Sequence, residues 1–383
     1  MQRTISKTLE SFALLLLSVA FVLLCAVSGS GRVSETRVDR SLASLREWQN
    51  QPETKSESET QDDPEVKRVL DKMAAAGVAG PTTVADVRKA YLFYPKLSGS
   101  PEHVFRIEDR QISGPAGNIP VRVYTPSSTN GLPILVFFHG GGFVAGTLDS
   151  HDTPLRSVSN RCECIVVSVA YRLAPENKYP AAPEDAYAAT SWVGEHGADI
   201  GGDPHRIAVG GDGAGGNLAA VVTLMARARR TPFLVFQLLV YPMLDASTMR
   251  PTWWTESGTP TVSRDSKNDI LRMYLRAYTS LTDPFVAPLR AENLRELPPA
   301  LIITYKNDAP MRVESEEYVS RLTQDGVVAK LSLYPMMIHG FFLMAGDLDG
   351  AKKCIDEMAS ALRNAFKGVS QNLDGHGYSA TDF

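Results

Sequence analysis

Ile207-Ala-Val-Gly-Gly-Asp-Gly-Ala-Gly-Gly-Asn217 is the stretch whose reading decides the fold. Ile207 to Val209 is a short apolar run, Gly210-Gly211 breaks it, and Ala214 to Arg229 reads as a helix. A strand that turns this abruptly into a helix puts the turn residue at the mouth of a parallel sheet, where α/β proteins carry out chemistry. Gly211-Asp212-Gly213-Ala214-Gly215 has the spacing of G-x-S-x-G, the sharp turn that lifts a nucleophile above the sheet. Position 213 is glycine where that pattern has serine.

Outward from this turn the chain alternates between strand and helix. Upstream, Val104/Arg106 and Val121/Val123 alternate with period two around a turn at Gly114-Pro115-Ala116-Gly117, which predicts a hairpin. Ile134–Phe138 and Ile165–Ala170 are continuous apolar runs, the pattern of strands buried on both faces. A helix is expected over Pro183–Glu195. Downstream come strands at Leu234–Val240, Ala300–Thr304 and Ala329–Tyr334, with helices at Val313–Leu322 and Ala351–Phe366. This alternation predicts a doubly wound, mostly parallel α/β sheet. Residues 249–281, with Trp253 and Trp254, interrupt it and are expected to contribute a cap, including a helix near Asp269 to Tyr278.

The N-terminal third divides by composition. Arg3 and Lys7 precede an apolar run from Phe12 to Val27, and Ala26 and Ser28 are spaced as a cleavage site requires. Residues 1–28 therefore read as a signal peptide or a membrane anchor, and either exports the rest of the chain. Residues 29–62 are a polar linker with a short helix at Ser41–Trp48. Asp63-Pro64 is a helix start, followed by Val66, Val69, Leu70 and Met73 at helical spacing; a second helix covers Val84 to Phe93. Residues 63–112 are assigned to cap helices and the start of the core, 113–368 to the core, and 369–383 to a disordered tail.

A chain of 383 residues with 44% apolar content buries a large core, and a net charge of -4 offers no basic footprint for nucleic acid. The four cysteines show neither a disulfide framework nor metal spacing. Cys162 and Cys164 alternate on one apparent strand, too close to pair comfortably, and with Cys354 read as small buried residues. No metal or cofactor is called for.

His139-Gly140-Gly141-Gly142-Phe143 directly follows the Ile134–Phe138 strand. Three glycines let backbone N–H groups approach a ligand unobstructed, as an oxyanion hole requires. His339 lies just past the last strand, and Asp308 lies after the Ala300–Thr304 strand, where a carboxylate can orient an imidazole. Elbow, acid, histidine is the chain order of the α/β-hydrolase triad.

With HGGGF, SVAYRLAPENKYPAAPEDAY (168–187), GGDGAGGNLAA (210–220), DPFVAPLRA (283–291), LPPALIITY (297–305) and YPMMIHGFF (334–342), the chain resembles the hormone-sensitive-lipase-like esterases, bacterial family IV. The resemblance covers roughly residues 63–367. It implies an α/β-hydrolase fold with a helical cap and serine-based hydrolysis of short-acyl esters. His339 would be the general base and Asp308 its orienting acid. The N–H groups of Gly141, Gly142 and Ala214 would form the oxyanion hole. The expected partner is a small ester or ligand. Membrane association through the N-terminal segment and a homodimer remain open.

Two departures qualify this. Gly213 stands at the nucleophile position, and without an Oγ no acyl-enzyme forms. Loss of a triad serine costs about 10⁶-fold in turnover. The acid loop reads Asp308-Ala309-Pro310-Met311-Arg312 where the family has D-P-L-R, so counting from the strand selects Asp308 and counting back from Pro310 selects Ala309. Asp308 is preferred.

Two rival readings fit parts of the sequence. Gly211-x-Gly213-x-x-Gly216 fits a dinucleotide fingerprint, but the next strand ends in Tyr241-Pro242 with no acid before Asp245. The second is a non-catalytic binder built on a disabled hydrolase pocket, to which the plant gibberellin receptors offer an analogy. Such a binder is expected to lose several catalytic parts, whereas HGGG, His339 and Asp308 are kept. Asp212 is expected to support the elbow, Glu176 and Asp185 to make structural contacts, and His103, His151, His196, His205 and His376 to take surface or loop roles.

Overall fold

The computed structural model describes residues 63–81, 83–248, 272–306 and 309–372. The expectations for the leader, the linker, Trp253, Trp254, most of the cap insertion, Asp308 and His376 lie outside those residues; of the cap helix, only 272–274 are described as helical. Among the described residues no helix is long and apolar enough to cross a membrane.

Eight strands form one sheet: β1 (Arg106–Gly114), β2 (Gly117–Thr125), β3 (Leu132–Phe138), β4 (Ile165–Val169), β5 (Gly202–Asp212), β6 (Phe236–Val240), β7 (Ala300–Tyr305) and β8 (Ala329–Tyr334). Their order is β1-β2-β4-β3-β5-β6-β7-β8. The β1–β2 hairpin is antiparallel, its two ends meeting at Gly114 and Gly117, and β2 pairs antiparallel with β4. Every later pairing is parallel.

The continuous apolar strands are explained by the two faces they serve. Ile134, Val136 and Phe138 of β3 enter one core cluster, while Leu135 and Phe137 enter the other. The first face is covered by α4 (Ala181–His196), α5 (Ala214–Arg229) and α6 (Ala309–Gln324), through residues such as Val193, Leu218 and Leu322. The second is covered by α1 (Pro64–Ala75), α3 (Asp152–Cys162) and α7 (Asp349–Asn372), through Val69, Val158 and Met358. Alternate side chains point to opposite faces, so a strand sandwiched between helices has no polar side to show.

Local signals set the N-terminal helices. Asp63 caps α1, its Oδ1 accepting from Glu65 N–H at 2.9 Å and Val66 N–H at 3.1 Å, with Pro64 in the first turn. Thr83 and Asp86 form a reciprocal capping box at the start of α2 (Val84–Phe93).

Three expectations are corrected. Cys162 does not lie on a strand; it ends α3, and Glu163 turns the chain in a left-handed conformation (φ 56°). That reversal brings the Cα atoms of Cys162 and Cys164 to 5.3 Å, within disulfide range, and the two sulfurs are bonded. Helix α3 itself carries little sequence signal, because its buried face mixes Ser157 and Ser159 with Leu155 and Val158. Finally, α7 runs on to Asn372, so the chain just past Gly368 is helical rather than disordered.

Candidate functional site

The site is built at the carboxyl ends of β3 and β5, adjacent parallel strands. Gly213 sits between β5 and α5 with φ 54° and ψ -115°, a conformation that side chains rarely adopt. Its N–H donates to Val240 O at 2.9 Å, and its carbonyl accepts from Asn217 N–H at 3.1 Å and Met243 N–H at 3.3 Å. The turn is thus held from both sides.

The three glycines of Gly211-Asp212-Gly213-Ala214-Gly215 are present for different reasons. A Cβ on Gly215 would lie 1.8 Å from Phe138 O, and one on Gly211 would lie 2.3 Å from Gly215 C. Both are obligatory where the helix start presses against the strands. At Gly213 a Cβ would meet, among the described residues, only His339, with Nε2 at 3.9 Å and Cε1 at 4.0 Å. The outer glycines are required by space. The central one is not.

His339 lies in the loop between β8 and α7, its ring 5.1 Å from that of Tyr241. The structure therefore brings together residue 213 and His339, which are 126 positions apart in sequence. Asp308 is outside the described residues, and Ala309 is the first residue of α6.

The His139–Phe143 loop follows β3 on the same edge. Gly141 and Gly142 have φ of 120° and 62°. A Cβ on Gly140 would lie 2.4 Å from Asp212 Oδ2, and one on Gly141 2.3 Å from Ala145 O. Gly140 N–H donates to Asp212 Oδ1 at 2.8 Å, tying this loop to the residue just before Gly213. Ala214 opens α5, where the first N–H groups have no acceptor inside the helix. Phe143, itself at φ 64°, stacks on Tyr274 with ring centroids 3.8 Å apart and planes 5° apart. This contact packs the described end of the cap insertion onto the glycine loop.

Beneath the site lies a buried network that the sequence reading missed in part. His151 is not at the surface: it is fully buried, and its Nε2–H donates to Asp212 Oδ1 at 2.9 Å. Its Nδ1 lies 2.9 Å from Ser150 Oγ. Burial alone would raise the Asp212 carboxyl, but His151 and the Gly140 N–H together hold it below the usual range. Burial holds the His139 imidazole down at about 4, so it is neutral; its ring stacks on Tyr171, whose hydroxyl donates to His139 O at 2.7 Å. Only burial could have marked His151, because its spacing to Asp212 exists in three dimensions alone.

The remaining polar residues act as braces. Arg88 pairs with Glu176 through both terminal guanidinium nitrogens (2.9 and 2.7 Å) and donates from Nε to Val144 O. Asp185, which is buried, takes Arg172 at 2.7 and 2.8 Å. Asp245, the nearest acid for a dinucleotide ribose, is buried and engaged by Arg290 and Ser247. That removes the feature the dinucleotide reading needed.

Sequence comparison agrees with this geometry. A family model described as the α/β-hydrolase fold matches residues 135–343. The chain belongs to the α/β-hydrolase family. It is 39% identical over 312 residues to a carboxylesterase of Mycobacterium tuberculosis, NlhH, covering 79% of this chain and 96% of that protein. It is 40% identical to the esterase LipI of the same organism, covering 74% and 88%. Among solved structures, an esterase from Pyrobaculum calidifontis superposes with a TM-score of 0.72 at 37% identity, covering 79% of this chain and 98% of its own. The α/β-hydrolase fold and a carboxylesterase-like scaffold are therefore established for this member of the family.

Proposed function

We infer that this chain is a short-acyl carboxylic-ester hydrolase scaffold in which Gly213 occupies the nucleophile position, so that hydrolysis through an acyl-enzyme is lost. The observation that carries the reading is the Gly213–His339 relationship. A Cβ at residue 213 would lie 3.9 Å from His339 Nε2, so an oxygen on it turned toward the ring comes within hydrogen-bond reach of roughly 2.6–3.2 Å. In this reading His339 is the general base, Asp308 orients it, and the N–H groups of Gly141, Gly142 and Ala214 receive the oxyanion. The strained backbone at Gly213 supports it, because α/β-hydrolases place their serine on such a turn.

The partner is a small ester, and the apolar segment before Ser28 exports the chain or anchors it. A second reading, a pocket that binds a small ligand without turning it over, is favoured by Gly213 itself.

Nitrophenyl butyrate hydrolysis by the wild-type chain and by Gly213→Ser, both checked for folding, tests the proposal. A serine variant that is active well above the parent supports the scaffold reading. Silence in both rejects it and moves the case to ligand binding.

A further inference from the structure

Resting on that reading, a narrower proposal follows from the space at residue 213. We propose that the open place beside Gly213 is a binding site for a small hydroxylic nucleophile, water or a short alcohol, which His339 deprotonates for direct attack on a bound ester.

The geometry is specific to this residue. Among the described residues, Gly213 alone of the glycines at 211, 213 and 215 has room for a Cβ, and the heavy atoms that Cβ would meet are the His339 Nε2 and Cε1, at 3.9 and 4.0 Å. An oxygen lodged one bond further toward the ring is within reach of Nε2. Gly213 is held by three backbone hydrogen bonds, to Val240, Asn217 and Met243, so the turn keeps its shape without a side chain. The place is therefore a fixed feature of the fold.

The step balances without an oxidant or a cofactor. The bound oxygen forms a bond to the acyl carbon as His339 Nε2 takes its proton. The carbonyl electron pair moves onto the carbonyl oxygen, facing the glycine-loop N–H groups. Collapse breaks the ester C–O bond, and His339 returns the proton to the departing alkoxide. Water gives the carboxylic acid and the alcohol; methanol gives the methyl ester and the alcohol. No covalent enzyme intermediate forms.

The test uses the full chain with nitrophenyl butyrate, with and without methanol, in wild type, Gly213→Ala, His339→Gln and Gly213→Ser. The wild type should exceed His339→Gln by about 10²-fold, the low end of a general base's contribution. It should release nitrophenol with no burst and form methyl butyrate in methanol. Gly213→Ala, whose methyl group takes the place of the nucleophile, should fall to the level of His339→Gln. Should the positive φ keep Gly213→Ala from folding, the wild-type to His339→Gln ratio and the methyl ester yield still decide. A wild type no faster than His339→Gln, or a folded Gly213→Ala as fast as wild type, overturns the proposal. If Gly213→Ser is active in that case, the scaffold reading survives and only the direct route is rejected.

Discussion

His151 Nε2 donates to Asp212 Oδ1 at 2.9 Å, and both side chains are almost wholly withdrawn from water, at 0% and 2% exposure. The same carboxylate oxygen takes the Gly140 N–H, so one atom joins the helix-start turn to the glycine loop. Asp212→Ala would leave two buried donors without their acceptor. It should lower stability by about 3–5 kcal/mol, the cost of stripping one partner from a buried pair. Asp212→Asn keeps an acceptor oxygen and should cost about half as much. Urea unfolding of both variants checks the order, and equal losses would show that the charge, not the acceptor oxygen, carries the interaction.

The two kinds of glycine in the elbow should separate under substitution. Gly215→Ala drives a methyl group into Phe138 O and should cost about 3 kcal/mol or more, since backbone on both sides cannot yield. At Gly213→Ser the added Cβ meets no described atom closer than 3.9 Å, so the variant should carry chiefly the strain of its backbone, about 1–3 kcal/mol. Thermal melts of the two variants provide the comparison; a Gly215→Ala variant as stable as Gly213→Ser would mean that the helix start can shift away from β3.

The buried His139 gives stability a defined pH dependence. Its imidazole is held at about 4 in the folded chain against about 6.5 when unfolded. Below 6.5 the unfolded chain binds a proton that the folded chain refuses, so this contribution is complete above 6.5 and is lost as pH falls toward 4. The loss amounts to about 3 kcal/mol across that window. Asp212 adds a further loss at lower pH, because its depressed carboxyl must be protonated there. His139 Nδ1–H donates to Gly140 O at 2.8 Å, and His139→Asn, whose amide can also donate there, should flatten the upper part of the curve. Urea midpoints between pH 7 and 4.5 measure it, and an unchanged slope in His139→Asn would assign the dependence to other groups.

Tyr274 is fully buried, and its hydroxyl has no hydrogen-bond partner among the described residues, while its ring lies flat on Phe143. Tyr274→Phe should therefore be neutral or stabilising by up to about 1 kcal/mol, whereas Tyr274→Ala should cost about 3–5 kcal/mol through the lost ring. Denaturation midpoints test both. A clear loss in Tyr274→Phe would mean that the hydroxyl is bonded in solution.

Cys162 and Cys164 should resist alkylation in the denatured, unreduced protein, while Cys354, a buried thiol in the folded chain, should be modified there. Peptide mass mapping reads this directly. Because the ring closed by the bridge is very short, reduction should cost no more than about 2 kcal/mol.

The order of strands and helices was legible because each parallel strand had to be apolar throughout to face helices on both sides, as Ile134–Phe138 is. The candidate residues Gly213 and His339 were legible because the fold fixes their order along the chain. Glycine spacing likewise located the loop at 139–143, since only glycine permits such close backbone approach. Helix α3 was not legible, because half its buried positions are serine or cysteine and the burial comes from its neighbours. The Cys162–Cys164 bridge depended on the left-handed Glu163, a backbone state that no side-chain pattern announces.

The sequence by itself determined the sheet, the elbow and the absence of an oxygen nucleophile at residue 213, because these follow from local composition, periodicity and residue identity. Tertiary structure alone decided that Gly213 has room for a side chain directed at His339 while Gly211 and Gly215 have none, and that Asp212 joins His151 to the glycine loop. Clearances of a few ångströms between residues far apart in the chain are properties of packing, and packing is set by every element at once.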